Sequence, residues 1–243
     1  MNSKMMLLIV MILNSTLFMG CATNFGLEGR KAISECMQIN ESGSYILTRN
    51  LGVSGDCLGI NVHYVTIDLN GFTLYGDGTG AGVTTYDDHW RGVVLRNGNI
   101  TNFNNGVEMK NVRDAVIENI RSTNNTRYGI RIGLSGKGDA IIKNCVAVDN
   151  GVRDIITVGV VAENIVGRMS AAGSAVIGNV IKQQLVADHS VVVNNNGDTL
   201  DVSNCPTLIM GNNFKWMTSG DPPPIFNADC KVIHNIPAGL NSP

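Results

Sequence analysis

The chain has 243 residues, 44% of them hydrophobic and 16% charged, with a formal net charge of −2. That composition supports a packed core and excludes wholesale disorder, and it lacks the basic excess that would announce a nucleic-acid partner. Aromatic residues at 5% and 28 glycines point to short strands broken by turns rather than to helices.

Residues 1–22 read as an export signal. Lys4 supplies a positive start, residues 5–19 an apolar stretch, and Gly20-Cys21-Ala22 a processing region. The stretch is short and interrupted by Asn14, Ser15 and Thr16, so it does not read as a membrane span. Two processing routes are compatible with it. Gly20-Cys21 resembles the end of a bacterial lipoprotein signal, which would make Cys21 a lipid anchor; cleavage after Ala22 would release the chain. Both expectations place the mature protein outside the cytoplasm, in the cell envelope or secreted.

Residues 23–58 read as an N-terminal cap with the first strands, residues 59–213 as the body, and residues 214–243 as a C-terminal cover. Export permits disulfides. Cys36 and Cys57 flank the first strand signals and Cys205 and Cys230 the last segment, so both pairs are disulfide candidates; Cys145 falls at an apolar repeat position. No zinc-type cysteine spacing occurs.

The body repeats. Gly59-Ile60-Asn61-Val62, Gly82-Val83-Thr84-Thr85, Gly106-Val107-Glu108-Met109, Gly129-Ile130-Arg131-Ile132 and Asp154-Ile155-Ile156-Thr157 begin 23, 24, 23 and 25 residues apart. A second strand signal follows each start and ends near an asparagine: Asn70, Asn97, Asn119, Asn144 and Asn164. A period this long, made of short β segments, predicts an all-β solenoid of about seven or eight coils of roughly 20–25 residues, whose strands stack in parallel. Asparagine suits the corners, because it tolerates left-handed backbone and its amide can bond the coil above. Outward positions of the second strand read Asp68, Arg96, Glu118, Lys143 and Glu163, a sign alternation that stacked neighbours favour. Shorter rungs are expected around residues 175–179, 191–194 and 208–212.

The passages GINVHYVTIDLNGFTLYGDGTG, VVLRNGNITNFNNGVEM and AVIENIRSTNNTRYGIRI resemble the repeats of the pectin-lyase-like superfamily, the right-handed parallel β-helix repeat proteins. The resemblance spans about residues 43–165. It implies a single-stranded right-handed parallel β-helix whose first strands form, on their outer face, a groove for polysaccharide or a cell-surface glycan.

Alternation along those strands puts Asn61, Thr84, Glu108 and Arg131 in one outward column and His63, Tyr86, Lys110 and Gly133 in the next. The loop Tyr86-Asp87-Asp88-His89-Trp90-Arg91 is the densest collection of chemistry. Asp87 and Asp88 are candidates for a calcium ion or for acid–base work, His89 for proton transfer, and Lys110 and Arg131 for a lyase base. Asn61, His63, Tyr86, Trp90 and Glu108 are candidate substrate-binding residues. The Asn-Thr-Asp, strand Asp-Asp, His-Gly and Arg-Ile-Lys set of polygalacturonases is not present. A uronate lyase, a glycoside hydrolase, a glycan-binding protein and a noncatalytic surface or adhesion protein therefore all remain compatible with the sequence, since fold does not dictate function.

Overall fold

The computed structural model describes residues 29–86, 89–133, 139–202, 207–218 and 231–233. The chain divides into two compact units, Met1–Arg30 and Lys31–Pro243, and the architecture described is that of the second. Its described regular elements are all β-strands, paired in parallel in three stacks. The first stack runs through Gly43–Leu47, Val65–Asp68, the front halves of Val94–Thr101 and Val116–Thr123, Ala140–Lys143, Gly159–Ala162, Ala175–Ile177, Val191–Val193, Leu208–Met210 and Lys231–Ile233. The second holds Leu51–Gly52, Thr73–Tyr75, the rear halves of the two long strands, Val146–Val148 and the front halves of the later long strands. The third holds Met37–Ile39, Leu58–Ile60, Ala81–Thr85, Asn105–Met109, Tyr128–Ile132 and Arg153–Ile156, continuing into the rear halves of Ile165–Ser170, Val180–Val186, Asn196–Asp201 and Asn213–Thr218.

A chain that visits three parallel sheets in turn is a solenoid, and parallel crossovers are right-handed. The protein is a right-handed parallel β-helix. Inward residues of all three sheets, among them Ile67, Leu95, Ile117, Val161, Ile130, Leu185 and Phe214, form one continuous buried core. The first two coils are joined by a disulfide between Cys36 and Cys57. Cys145 is a buried free thiol, and burial pushes it up to about 12. Cys21, Cys205 and Cys230 lie outside the described residues, as does the signal segment. Strand stacking continues past residue 213, where the sequence reading begins its cover: Asn213–Thr218 and Lys231–Ile233 pair onto the preceding coils.

The coils shorten along the axis. Arg96 bonds Asp68 28 residues earlier, whereas Asn164, Asn179, Asn195 and Asn212 bond across separations of 15, 16 and 17 residues. In the third sheet the transition falls at Asp154: Ile130 and Ile155 pair 25 residues apart, Ile155 and Met169 only 14. The glycines that start the repeat are inward positions: a Cβ on Gly106 would meet Ser122 Oγ at 2.2 Å, and one on Gly129 the Asp154 carbonyl at 2.5 Å. Asp154 follows them in register, since Ile130 pairs with Ile155, so its carboxylate points inward and is 2% exposed. There it closes a ladder. Asn125 Nδ2 donates to Asn150 Oδ1 at 2.8 Å, and Asn150 Nδ2 donates to Asp154 Oδ1 at 2.7 Å. A carboxylate accepts without donating, so it ends such a chain with no orphan donor. Asp154 Oδ2 accepts the Arg168 backbone N–H at 2.6 Å, over Gly167, which leaves the space for it.

A second ladder begins beyond this point. Asn164, Asn179, Asn195 and Asn212 are each 1–2% exposed; the Nδ2 of each of the first three donates to the next Oδ1 at 2.9 Å, and Asn212 Nδ2 donates to the Val192 and Met210 carbonyls. The corner expectation is corrected here by one residue. Asn70, Asn97, Asn119 and Asn144 do take left-handed backbone, with φ of 52°, 60°, 54° and 53°. In the next coil Glu163 holds that position (φ 58°), and Asn164 falls one step later, inside. The same shift removes Glu163 from the charge column. Asp68, Arg96, Glu118 and Lys143 are in register, with ion pairs Asp68–Arg96 at 3.1 Å and Glu118–Lys143 at 3.0 Å, but Lys143 faces Ala162.

The outer face of the first sheet changes character at that step. One column continues Val116, Ile141, Val160, Ala175, Val191, Leu208, and its neighbour continues Ala162, Ile177, Val193, Met210.

Candidate functional site

The third sheet presents the most concentrated polar chemistry among the described residues. Thr84, Glu108, Arg131 and Ile156 share one outward column. Glu108 is the hub. Its Oε1 accepts from Arg131 Nη1 at 3.0 Å and lies 3.7 Å from Lys110 Nζ, while its Oε2 accepts from Asn105 Nδ2 at 2.8 Å. The Arg131 and Arg127 guanidinium groups lie 4.8 and 4.9 Å from the centre of the Tyr128 ring, a cation–π arrangement. Arg153 pairs with Tyr128 in the next coil. Asn105 Oδ1 and Arg131 Nε are buried with no hydrogen-bond partner among the described residues. The amide oxygen calls for a donor and the guanidinium N–H for an acceptor, roles that a water or a hydroxyl can fill at either atom.

Asn105 and Tyr128 escape a strict two-residue alternation. Gly106 and Gly129 face inward as Val107 and Ile130 do, so the pleat slips by one at each glycine. The residue just before the repeat glycine, rather than two before it, therefore joins Glu108 or Arg131 outside. Four positive residues and one carboxylate result: Lys110, Arg127, Arg131 and Arg153 against Glu108.

Asn61 does not stand in the Thr84 column. Leu58 pairs with Val83 and Gly59 with Thr84, so the first repeat is two residues out of the register suggested by spacing. Cys57 occupies the inward position equivalent to the later glycines, where it is tied to Cys36. Asn61 instead donates to Gln38 and Asn40 in the preceding coil. Tyr86 folds back over Gly59 and donates its hydroxyl to Asp56 Oδ2 at 2.8 Å. Partial burial, then that carboxylate, push the Tyr86 phenol up to about 12.

His63 and Trp90 meet in an edge-to-face contact with ring centres 5.1 Å apart, and His63 Nδ1 accepts the Arg91 backbone N–H at 3.2 Å. Trp90 packs against the core, with its Nε1 buried and unpartnered among the described residues. His89 is exposed with φ 78°. Asp87 and Asp88, the calcium and acid–base candidates, lie outside the described residues. Among those described, no three His, Cys, Asp or Glu side chains converge as a metal site would require.

No protein-family model and no curated protein matches the sequence. Two solved structures are similar in fold. One is the A-module of the mannuronan C-5 epimerase AlgE4 of Azotobacter vinelandii, at 13% identity, 85% of this chain, 83% of that one and a TM-score of 0.46. The other is the Dettilon tailspike protein, at 12% identity and a TM-score of 0.32, covering 84% of this chain and 61% of that one. The chain thus spans less than two thirds of the tailspike's length. The class of protein, a right-handed parallel β-helix, rests on this chain's own strand pairings.

Proposed function

We propose that this chain is an exported β-helix protein that binds acidic polysaccharide across the outer face of its third sheet. The observation that carries the reading is the cluster of Lys110, Arg127 and Arg131 around Tyr128 and Glu108, with Arg153 the register neighbour of Tyr128 in the next coil, a positive face on a chain whose net charge is −2. Guanidinium forks match carboxylates in two-point geometry. Parallel strands repeat that presentation every ~4.8 Å along the axis, the kind of spacing an extended polymer needs.

Binding is favoured over catalysis by the state of Glu108. Both of its oxygens are engaged, by Arg131 and by Asn105, which makes it an anchor for the cations rather than a free base. The loop of residues 86–91 supplies the catalytic version of the proposal. There Asp87 and Asp88 would hold calcium through their carboxylate oxygens and His89 would move a proton. Envelope anchoring through Cys21 belongs to the same proposal.

The test is titration of the purified protein with uronate polymers and with neutral polymers of similar length, at low and high salt. Salt-sensitive binding to uronates alone, lost in Arg131→Ala with Arg127→Ala, is expected. Equal affinity for neutral polymers, or none for any glycan, overturns it. Absorbance near 235 nm, with and without calcium, detects the unsaturated ends a lyase would produce. Loss of such a signal in Asp87→Ala and Asp88→Ala assigns it to the loop.

A further inference from the structure

The first sheet carries an extended exposed apolar strip among the described residues. Ile141, Val160, Ile177, Val191 and Met210 are 38–40% exposed on its outer face. They stand in two adjacent columns, with alanine, valine and leucine at the positions between. A groove of about 400 Å³ along the edge of the strip is lined by Val116, Ile141 and Val160 together with Asp114 and Asp139. Parallel sheets are ordinarily covered on both faces, and here the outer one is bare. The strip offers on the order of 500 Å² of apolar surface, at the upper end of what monomers expose.

We propose that this strip is a self-association surface, on which a second copy of the chain packs face to face to form a two-fold dimer. Three observations select a second copy over another occupant. The strip's first column runs over six successive coils, and a partner must match it with an equally long apolar face; a second copy does so by symmetry, and the contact closes on itself. Two such faces bring together about 1,000 Å² of apolar surface, the size at which specific interfaces begin. The column that precedes the strip is internally paired, Asp68 with Arg96 and Glu118 with Lys143, and the nearby carboxylates Asp114 and Asp139 lie in the groove at its edge rather than in its two apolar columns. Sheets packed in this way sit about 10 Å apart.

The dimer and the glycan face are on different sheets, so either reading can fail without the other. The test is sedimentation velocity of the full chain over a concentration series, beside Ile177→Lys with Val191→Lys and the milder Ile177→Thr with Val191→Thr. The wild type is expected to move from one to two chain masses, 26.0 kDa each, as concentration rises. The lysine pair is expected to stay at one mass and the threonine pair to weaken association at least tenfold, each with the wild-type circular dichroism spectrum. The threonine pair decides the matter if the lysine pair does not fold. A wild type that stays at one mass at its highest soluble concentration overturns the proposal, whether or not it binds apolar vesicles. So does a folded variant that associates as the wild type does.

Discussion

The coils before Asp154 and those after it solve the same problem with different means. The early coils are wide, with separations of 22–28 residues between bonded partners. They turn most corners of the first sheet with exposed left-handed asparagines and carry alternating charges outside. The late coils are narrow, at 15–17 residues. They place asparagine inside and leave aliphatic side chains outside. A narrow coil encloses less apolar volume, so the buried amide ladder takes a larger share of the work of fixing one coil on the next. Inside a low-dielectric core such a ladder is strong when complete and costly when broken. Asp154 marks the step between the two regimes, ending one ladder just before the other begins.

That contrast can be broken deliberately. Asn179→Ala removes a rung whose Oδ1 accepts from both Asn164 N and Asn164 Nδ2 and whose Nδ2 donates to Asn195. It should cost about 4 kcal/mol, since each buried group left unsatisfied costs roughly 1–3. Asn119→Ala, at an exposed corner in the early coils, should cost less, about 1–2 kcal/mol, chiefly because alanine adopts the left-handed φ of 54° less readily. Equal losses in urea unfolding would show that the buried ladder carries no special share. Replacing Cys36 and Cys57 together by serine opens a loop spanning 21 residues. That should lower stability by about 3 kcal/mol on the chain-entropy model, with hydrogen exchange rising first in the early coils. Asp154→Asn keeps the shape but can turn an N–H toward the Arg168 N–H. A loss of about 2 kcal/mol is expected by denaturant titration, and no loss would mean the charge at the end of the ladder is dispensable.

Cys145 gives a pH test of the boundary region. Burial raises its folded-state thiol well above the ordinary value of 9.0, to about 12. The fold therefore favours the neutral thiol: its contribution is fully present below pH 9 and is lost as pH climbs from there toward 12. Alkylation at pH 8, read on the peptide that contains Cys145, should be absent in the native protein and rapid in denaturant. Ready native labelling would contradict a buried thiol. The smallest effect belongs to the surface column. Lys143→Ala breaks an ion pair with both partners partly exposed and should change stability by no more than about 0.5 kcal/mol.

Period and residue type made much of this legible without coordinates. Glycines near every 23 residues, the asparagine corners at 70, 97, 119 and 144, and the sign alternation through Lys143 all follow from stacking equivalent residues ~4.8 Å apart. The candidate site was legible only in part. Glu108 and Arg131 were placed side by side by simple alternation, because the strand between Val107 and Met109 is regular. Asn105, Arg127, Tyr128 and Arg153 were not, because the pleat slips at Gly106 and Gly129, a departure no period-two rule contains. Asn61 was misplaced because Cys57 stands where a glycine stands in later coils.

The sequence by itself determined that the chain winds into a parallel β-helix, since only a stacked coil satisfies so regular a recurrence of glycine, aliphatic residues and asparagine. Tertiary structure alone decided where the coil narrows, which asparagines turn inward, and which sheet is left with an apolar face. Those outcomes depend on the volume enclosed between neighbouring coils, and that volume is set by residues 15 to 28 positions apart.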